Sequence, residues 1–341
     1  MRGLAADAAA HPVAPRSQGG AAAGPAANLR SARGTVFLFL LTVLAGPLAA
    51  QDVEGFWQAT RERLAREPME AQVEPVAEPL PYKIFKLTLR SLDGVRVHGW
   101  LALPVQGEAP ARPWPVIVST PGYGGTQQGV MLGECQRGYA ILQIFPRGQG
   151  VSAELWKIDG PDKLTWHLDR PEGAYYQGAY ADVMRAIDYA ASRPDLDPDR
   201  IALVGTSQGG GFSLAVAALD ARVKAVVAHV PFLCDFRLAA RTPSSLVKTL
   251  LDRAGRNDEA ALRTLDYFDP LQLAPRLRVP VLMSAGGRDE TCPAATIQSV
   301  YDRLPGVKTL KVYPDLPHTT CLDFYNLSWP WLDLHFRQKS P

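Results

Sequence analysis

From about residue 52 onward the sequence predicts an α/β fold, a mostly parallel central sheet flanked by helices, with a small helical cap and an N-terminal arm. Three observations carry this expectation. Short continuous apolar runs recur at 115–119, 139–144, 201–205, 223–228, 279–284 and 307–312, the pattern of strands buried on both faces. Helical stretches separate or follow them at 176–192, 208–219, 294–304 and 321–336, and strand–helix alternation implies right-handed βαβ crossovers. Residues 235–268 break the alternation with helical, polar sequence, as a cap inserted over the carboxyl edge of the sheet would.

The elements follow in chain order. Residues 1–34 are rich in Ala, Gly, Pro and Arg with a single acid, Asp7, and cannot bury enough apolar surface to offset the entropy of ordering. A short apolar run, Thr35 to Leu44, then a small-residue tail ending at Ala50, reads as a secretory signal peptide, too short to span about 30 Å of hydrocarbon. Residues 1–50 are therefore expected to be a disordered leader plus signal peptide. A secreted or periplasmic product starting near Gln51, with no membrane span after cleavage, is the consequence. Residues 51–341 are expected to form one catalytic domain. Val53, Phe56, Trp57 and Leu64 give residues 52–66 the spacing of an amphipathic helix, ended by a Pro-rich extended linker at 74–81. Alternation at 83–90 and 94–103 around Asp93-Gly94 predicts an antiparallel hairpin.

Composition excludes several functions. The chain has 341 residues, 47% hydrophobic and 21% charged, with a formal net charge of +2. No Lys/Arg block is present, so nucleic acid has no electrostatic footprint to bind. The four cysteines, Cys135, Cys234, Cys292 and Cys321, include no C-x-x-C pair, so neither a zinc module nor a disulfide scaffold is indicated.

Chemistry concentrates in Gly205-Thr206-Ser207-Gln208-Gly209, a G-x-S-x-G between a buried strand and a small-residue helix. That context is the nucleophile elbow, in which a serine is exposed on a strained turn. A serine hydroxyl needs a histidine to take its proton and an acid to orient that histidine. Of six histidines only His318 falls in the loop just after the last predicted strand, where the order Ser, acid, His requires it, His335 being in the last helix. Asp289 follows the strand before, with adjacent Glu290 as its rival. Backbone amides of Gln208 and of Tyr123, in Pro121-Gly122-Tyr123-Gly124-Gly125, are the expected oxyanion donors.

The motifs Arg147-Gly148-Gln149-Gly150, Gly205-Thr206-Ser207-Gln208-Gly209-Gly210-Gly211 and Val230-Pro231-Phe232-Leu233-Cys234-Asp235-Phe236, in this order, resemble the acetyl xylan esterase and cephalosporin C deacetylase family, carbohydrate esterase family 7 of the α/β-hydrolase fold. Phe56-Trp57, Tyr267-Phe268-Asp269 and Cys292-Pro293 extend the resemblance over nearly all of the chain after residue 50. It implies serine-dependent removal of short acyl groups, chiefly acetyl, from sugar hydroxyls, without metal or cofactor. It also implies that Arg147 and Gln149 hold the active-site loops, and that a homo-oligomer forms, frequently a hexamer. One departure stands out: where the family commonly has His-Glu, His318 is followed by Thr319. Alternatives are a prolyl-peptidase-like or dienelactone-hydrolase-like activity on the same fold, or a non-catalytic carbohydrate-binding descendant. Cys292 and Cys321 each lie three residues after a triad candidate, so contact between Asp289 and His318 would make them neighbours. That leaves open a loop-stapling disulfide or two free thiols.

Overall fold

Nine strands make one sheet in the order β1-β2-β3-β5-β4-β6-β7-β8-β9. The computed structural model describes residues 52–76, 82–104, 113–125, 132–158, 160 and 162–337. The expected leader and signal peptide lie outside them, as do residues 77–81 of the expected linker.

The parallel part is β4 (Trp114–Thr120), β5 (Ala140–Ile144), β6 (Leu196–Thr206), β7 (Val223–His229), β8 (Val281–Gly286) and β9 (Lys308–Tyr313). These are the six apolar runs, and the α/β-hydrolase fold class is borne out. The hairpin is β2 (Lys83–Arg90) and β3 (Arg96–Leu103), antiparallel as expected, with Asp93 and Gly94 both at positive φ in the turn. β1 (Gln72–Pro75) pairs with β2, so the first part of the expected linker is a strand.

Alternating residues of each central strand face two different cores. Val116, Val118, Leu142 and Leu203 join one, and Ile117, Ile141 and Ala202 join the other. Helices α3 (Tyr175–Ser192) and α4 (Gln208–Leu219) pack on the first face, where Tyr176, Tyr180 and Phe212 are fully buried. Helix α1 (Val53–Arg66) docks there too. Asp52 caps it by accepting from the Gly55 amide at 2.8 Å, and Trp57 stacks on Tyr180 at 5.5 Å while its indole N–H donates to the Tyr267 carbonyl. At its other end, Arg185 of α3 donates to the Leu64 and Glu67 carbonyls, satisfying terminal acceptors that an α-helix leaves open. The arm is therefore bonded at both ends. The opposite face is covered by α2 (Leu132–Gln136) and α10 (Leu322–Leu332).

Residues 235–268 hold three short helices, α5 (Phe236–Ala239), α6 (Leu246–Arg253) and α7 (Glu259–Asp266). Helix α8 (Pro270–Leu273) follows, and α9 (Ala294–Arg303) connects β8 to β9. Asp269 ties the beginning and end of the inserted region together. Its buried carboxylate accepts from the Asp235, Phe236 and Leu271 amides at 2.7 to 2.9 Å. Burial raises this carboxyl to about 7 against those amide bonds.

The strand order positions the site. From β4 the chain moves to β5 on one side and then to β6 on the other, so the loops after β4 and β6 diverge. Such a divergence opens a crevice at the carboxyl edge of the sheet, the usual place for a ligand in open α/β sheets.

Candidate active site

Ser207 stands at this crevice in a backbone conformation of φ 55°, ψ −120°, which non-glycine residues rarely adopt. The strain persists because both sides of the turn are fixed. The Ser207 amide donates to the His229 carbonyl at 2.9 Å, and its own carbonyl accepts from Phe232 and Gly211. The neighbouring glycines are required by close approach. A Cβ at Gly205 would lie 2.3 Å from the Gly209 carbonyl group, and one at Gly209 would lie 2.2 Å from the Thr120 carbonyl oxygen. Helix α4 can start this close to β4 and β6 only without those side chains.

The structure brings the three triad candidates into one hydrogen-bonded line. His318 Nε2 lies 3.0 Å from Ser207 Oγ, and His318 Nδ1 lies 2.7 Å from Asp289 Oδ2. The second carboxylate oxygen, Oδ1, accepts from the Thr291 and Cys292 amides at 2.9 and 2.7 Å. Both Asp289 oxygens are thus engaged, and its side chain is fully buried. Adjacent Glu290 is exposed and enters no such contact, which removes the rival acid.

Gln208 and Tyr123, the expected oxyanion donors, belong to two segments joined through Gln149 beside the serine. Gln208 is the first residue of α4, so its amide has no partner within the helix. Tyr123 lies in the loop after β4, whose Gly122 approaches Ser207: a Cβ there would be 3.6 Å from that of the serine. Gln149 bridges the two loops. Its side-chain amide donates to the Gly122 carbonyl at 3.2 Å, the Tyr123 carbonyl at 3.4 Å and Gln208 Oε1 at 3.3 Å. Arg147 is buried one turn away and makes a bidentate pair with Asp182 of α3, with Nε–Oδ2 at 3.0 Å and Nη2–Oδ1 at 2.7 Å.

Among the described residues one cluster offers several metal-ligand types, Asp289, Cys292 and His318, with ligand atoms within 4.8 Å of one another. Asp289 and His318 are already hydrogen-bonded at 2.7 Å, closer than the roughly 3.3 Å that a tetrahedral zinc would impose between ligand atoms. The arrangement fits proton transfer better than cation binding.

A family model described as acetyl xylan esterase (AXE1) matches residues 45–333. The chain belongs to this family. An acetyl xylan esterase from Paenibacillus sp. R4 has 32% sequence identity and a TM-score of 0.77, covering 84% of this chain and 95% of that one. Acetyl xylan esterase 1 from Thermoanaerobacterium sp. JW/SL YS485, at 24% identity and a TM-score of 0.75, shares the fold over 83% of this chain and 93% of its own. Among curated proteins, acetyl esterase Axe7A of Xylanibacter ruminicola is 25% identical over 301 residues, 83% of this chain and 66% of its own length. The chain spans about a third of the next two curated relatives it matches.

Two features of this acetyl xylan esterase family member answer questions that the sequence leaves open. The cysteines do not pair: all four are free thiols. The reason lies in the sheet. Cys292 packs in the core on one face, near Ser207 and Cys234, whereas Cys321 packs against the core on the other, near Tyr313 and His229. Burial pushes the Cys292 thiol well above its ordinary range. Thr319 is exposed, and the loop around His318 is held without a following carboxylate. Thr319 donates its amide to the Pro317 carbonyl at 2.8 Å, and Arg288 donates its amide to the Leu316 carbonyl at 3.0 Å.

His229 is a participant that the sequence did not single out. Its ring lies between Ser284 Oγ at 3.1 Å and the Cys321 amide, which approaches Nε2 at 3.4 Å, with Phe324 edge-on at 4.3 Å. Burial lowers its pKa from 6.5 to about 4, so the folded protein holds it neutral. The unfolded chain therefore binds the proton more readily than the folded one. Stability from this residue is present above pH 6.5 and is lost as pH falls through about 4, an expected loss of about 3 kcal/mol. Urea unfolding from pH 7 to pH 3.5 should show this slope, and His229→Gln should remove it; an equal slope in both proteins would refute the assignment.

Proposed function

We propose that the protein is a serine esterase that removes acetyl groups from sugar hydroxyls. The observation carrying this reading is the Asp289–His318–Ser207 line of hydrogen bonds at the crevice, in a chain of the acetyl xylan esterase family. Ser207 Oγ attacks the acetyl carbonyl while His318 Nε2 takes its proton. Asp289 holds Nδ1–H, fixes the tautomer and stabilises the imidazolium. As the carbonyl carbon becomes tetrahedral, its oxygen gains negative charge toward the Tyr123 and Gln208 amides. Collapse releases the sugar, whose oxygen takes the proton from His318. Water, activated by the same histidine, then frees acetate and restores Ser207.

The residues carry out each of these steps with acid–base and amide groups already in place. Arg147 and Gln149 position rather than react, since their contacts go to loop backbone and to Asp182. We infer export from the apolar segment at 35–50, which would bring the protein to extracellular substrate; amino-terminal sequencing of the native product should begin near Gln51.

Acetate release tests the substrate class. The chain should hydrolyse p-nitrophenyl acetate and an acetylated xylo-oligosaccharide and leave an aminoacyl p-nitroanilide intact. Cleavage of the anilide with no acetate release from the sugar would favour a peptidase on this fold, and sugar binding with no turnover would favour a carbohydrate-binding protein.

A further inference from the structure

Lys163 places a cation beside the loop that carries the candidate oxyanion donor. Its ammonium lies 4.3 Å from the centre of the Tyr123 ring. That ring meets Phe232 edge-on at 5.5 Å, and the Phe232 amide donates to the Ser207 carbonyl at 2.8 Å. The lysine, on the segment between β5 and α3, is therefore linked to the turn of the nucleophile through the rings of Tyr123 and Phe232 and the Phe232 backbone.

The nearest acid is Asp162, but its carboxylate is engaged elsewhere. Oδ1 accepts from the Tyr123 hydroxyl and from the Leu164 amide. Among the described residues Lys163 has no ion pair or conventional hydrogen bond, although it is only partly exposed. Burial lowers its pKa, with Asp162 opposing the shift. Burial also raises the Asp162 carboxyl, against the Leu164 amide, Lys163 and Arg253 at the end of α6. Two cations thus face one acid whose own charge is disfavoured.

A half-buried ammonium whose nearest described acid is shared with Arg253 and hydrogen-bonded elsewhere is incompletely balanced, and a cation–π contact returns only part of that cost. An anion from outside would complete the arrangement. The neighbouring reaction also builds negative charge on the substrate, so a substrate already bearing a carboxylate needs a nearby cation to approach without repulsion.

We propose that Lys163 forms a subsite for a carboxylate on the substrate, so that the protein acts preferentially on acetyl esters of acidic sugars, such as uronic acids, over their neutral counterparts. This rests on the esterase reading above.

The test uses two matched pairs of acetyl esters on the full chain: 4-acetoxybenzoate with its methyl ester, and a methyl O-acetyl-glucuronoside with the corresponding glucoside. The quantity read is the ratio of kcat/KM, acidic over neutral, in wild type, Lys163→Gln and Lys163→Arg. Comparing proteins cancels the intrinsic difference between leaving groups. The ratio should fall about 10-fold in Lys163→Gln, be largely kept in Lys163→Arg, and shrink in wild type as NaCl rises from about 0.02 to 0.5 M. The salt response is a readout that needs no variant to fold. An unchanged ratio overturns the proposal. So does an equal loss on both members of a pair, which would make Lys163 a support for Tyr123 alone. A charge effect on the aryl pair with no turnover of either sugar would keep the subsite and refute the sugar reading instead.

Discussion

Ser207→Ala is expected to lower kcat for ester hydrolysis by about 10⁴- to 10⁶-fold, and His318→Ala by a comparable factor. The two losses should not add. Ser207 Oγ and His318 Nε2, 3.0 Å apart, act as one unit, because the histidine has no proton to take once the hydroxyl is gone. The double variant should match the slower single variant. A residual rate above that of buffer should survive in all three, because the Tyr123 and Gln208 amides belong to the backbone and remain in place. The fold should tolerate the change. The elbow is held by the Ser207 amide and carbonyl, which alanine keeps, so the melting temperature should move by only a few degrees. Burst and steady-state assays with p-nitrophenyl acetate provide the check. Retention of more than about one hundredth of wild-type kcat in Ser207→Ala would reject the serine as nucleophile, and strictly multiplicative losses in the double variant would reject the coupled unit.

Why the sequence revealed this pair but not its surroundings follows from the range of the interactions. Strands buried on both faces leave continuous apolar runs, so β4 to β8 were legible. The β1 strand was not, because its four residues are all exposed and only the pairing with β2 makes it a strand. Ser207 announces itself through glycines that the packing of α4 against β4 demands, a constraint written within five residues. His318 follows from chain order. Asp289 and Glu290 are chemically equivalent in sequence and separate only when the turn buries one and exposes the other. Asp182, Lys163 and His229 were silent for another reason: each acquires its role from a partner tens of residues away. The one weak signal for Asp182 was a carboxylate in the middle of a helix rich in aromatic residues and alanine, a signal it shares with Asp188. The pairing of Cys292 and Cys321 was undecidable on the same ground, since sequence spacing records proximity to Asp289 and His318 but not which face of the sheet each thiol joins.

Arg147→Ala is expected to destabilise the fold by about 3 to 5 kcal/mol, roughly 10 °C in melting temperature, which is a larger stability effect than any change at the triad. The reason is what the change leaves behind. The Asp182 carboxylate is fully buried and receives the Arg147 backbone amide at 2.8 Å as well as the guanidinium at two points. Without the guanidinium, a charge remains inside the protein with one donor. The guanidinium also donates to the Leu92 carbonyl at 3.2 Å, linking the turn between β2 and β3 to the same point. Arg147→Met with Asp182→Leu should recover much of the loss, since removing both charges removes the desolvation cost with the attraction. Activity should not recover with stability. Gln149 lies in the turn that Arg147 anchors, where its amide donates to the Pro146 carbonyl, and its side chain holds the carbonyls of Gly122 and Tyr123. Hydrophobic substitutes refill the volume but do not fix that turn through directed bonds, so an oxyanion donor displaced by a fraction of an ångström should still cost turnover. Thermal melts beside kcat measurements separate these effects. Full recovery of kcat in the double variant would show that Arg147 matters for stability alone, and a single variant as stable as wild type would mean that Asp182 finds its charge balance elsewhere.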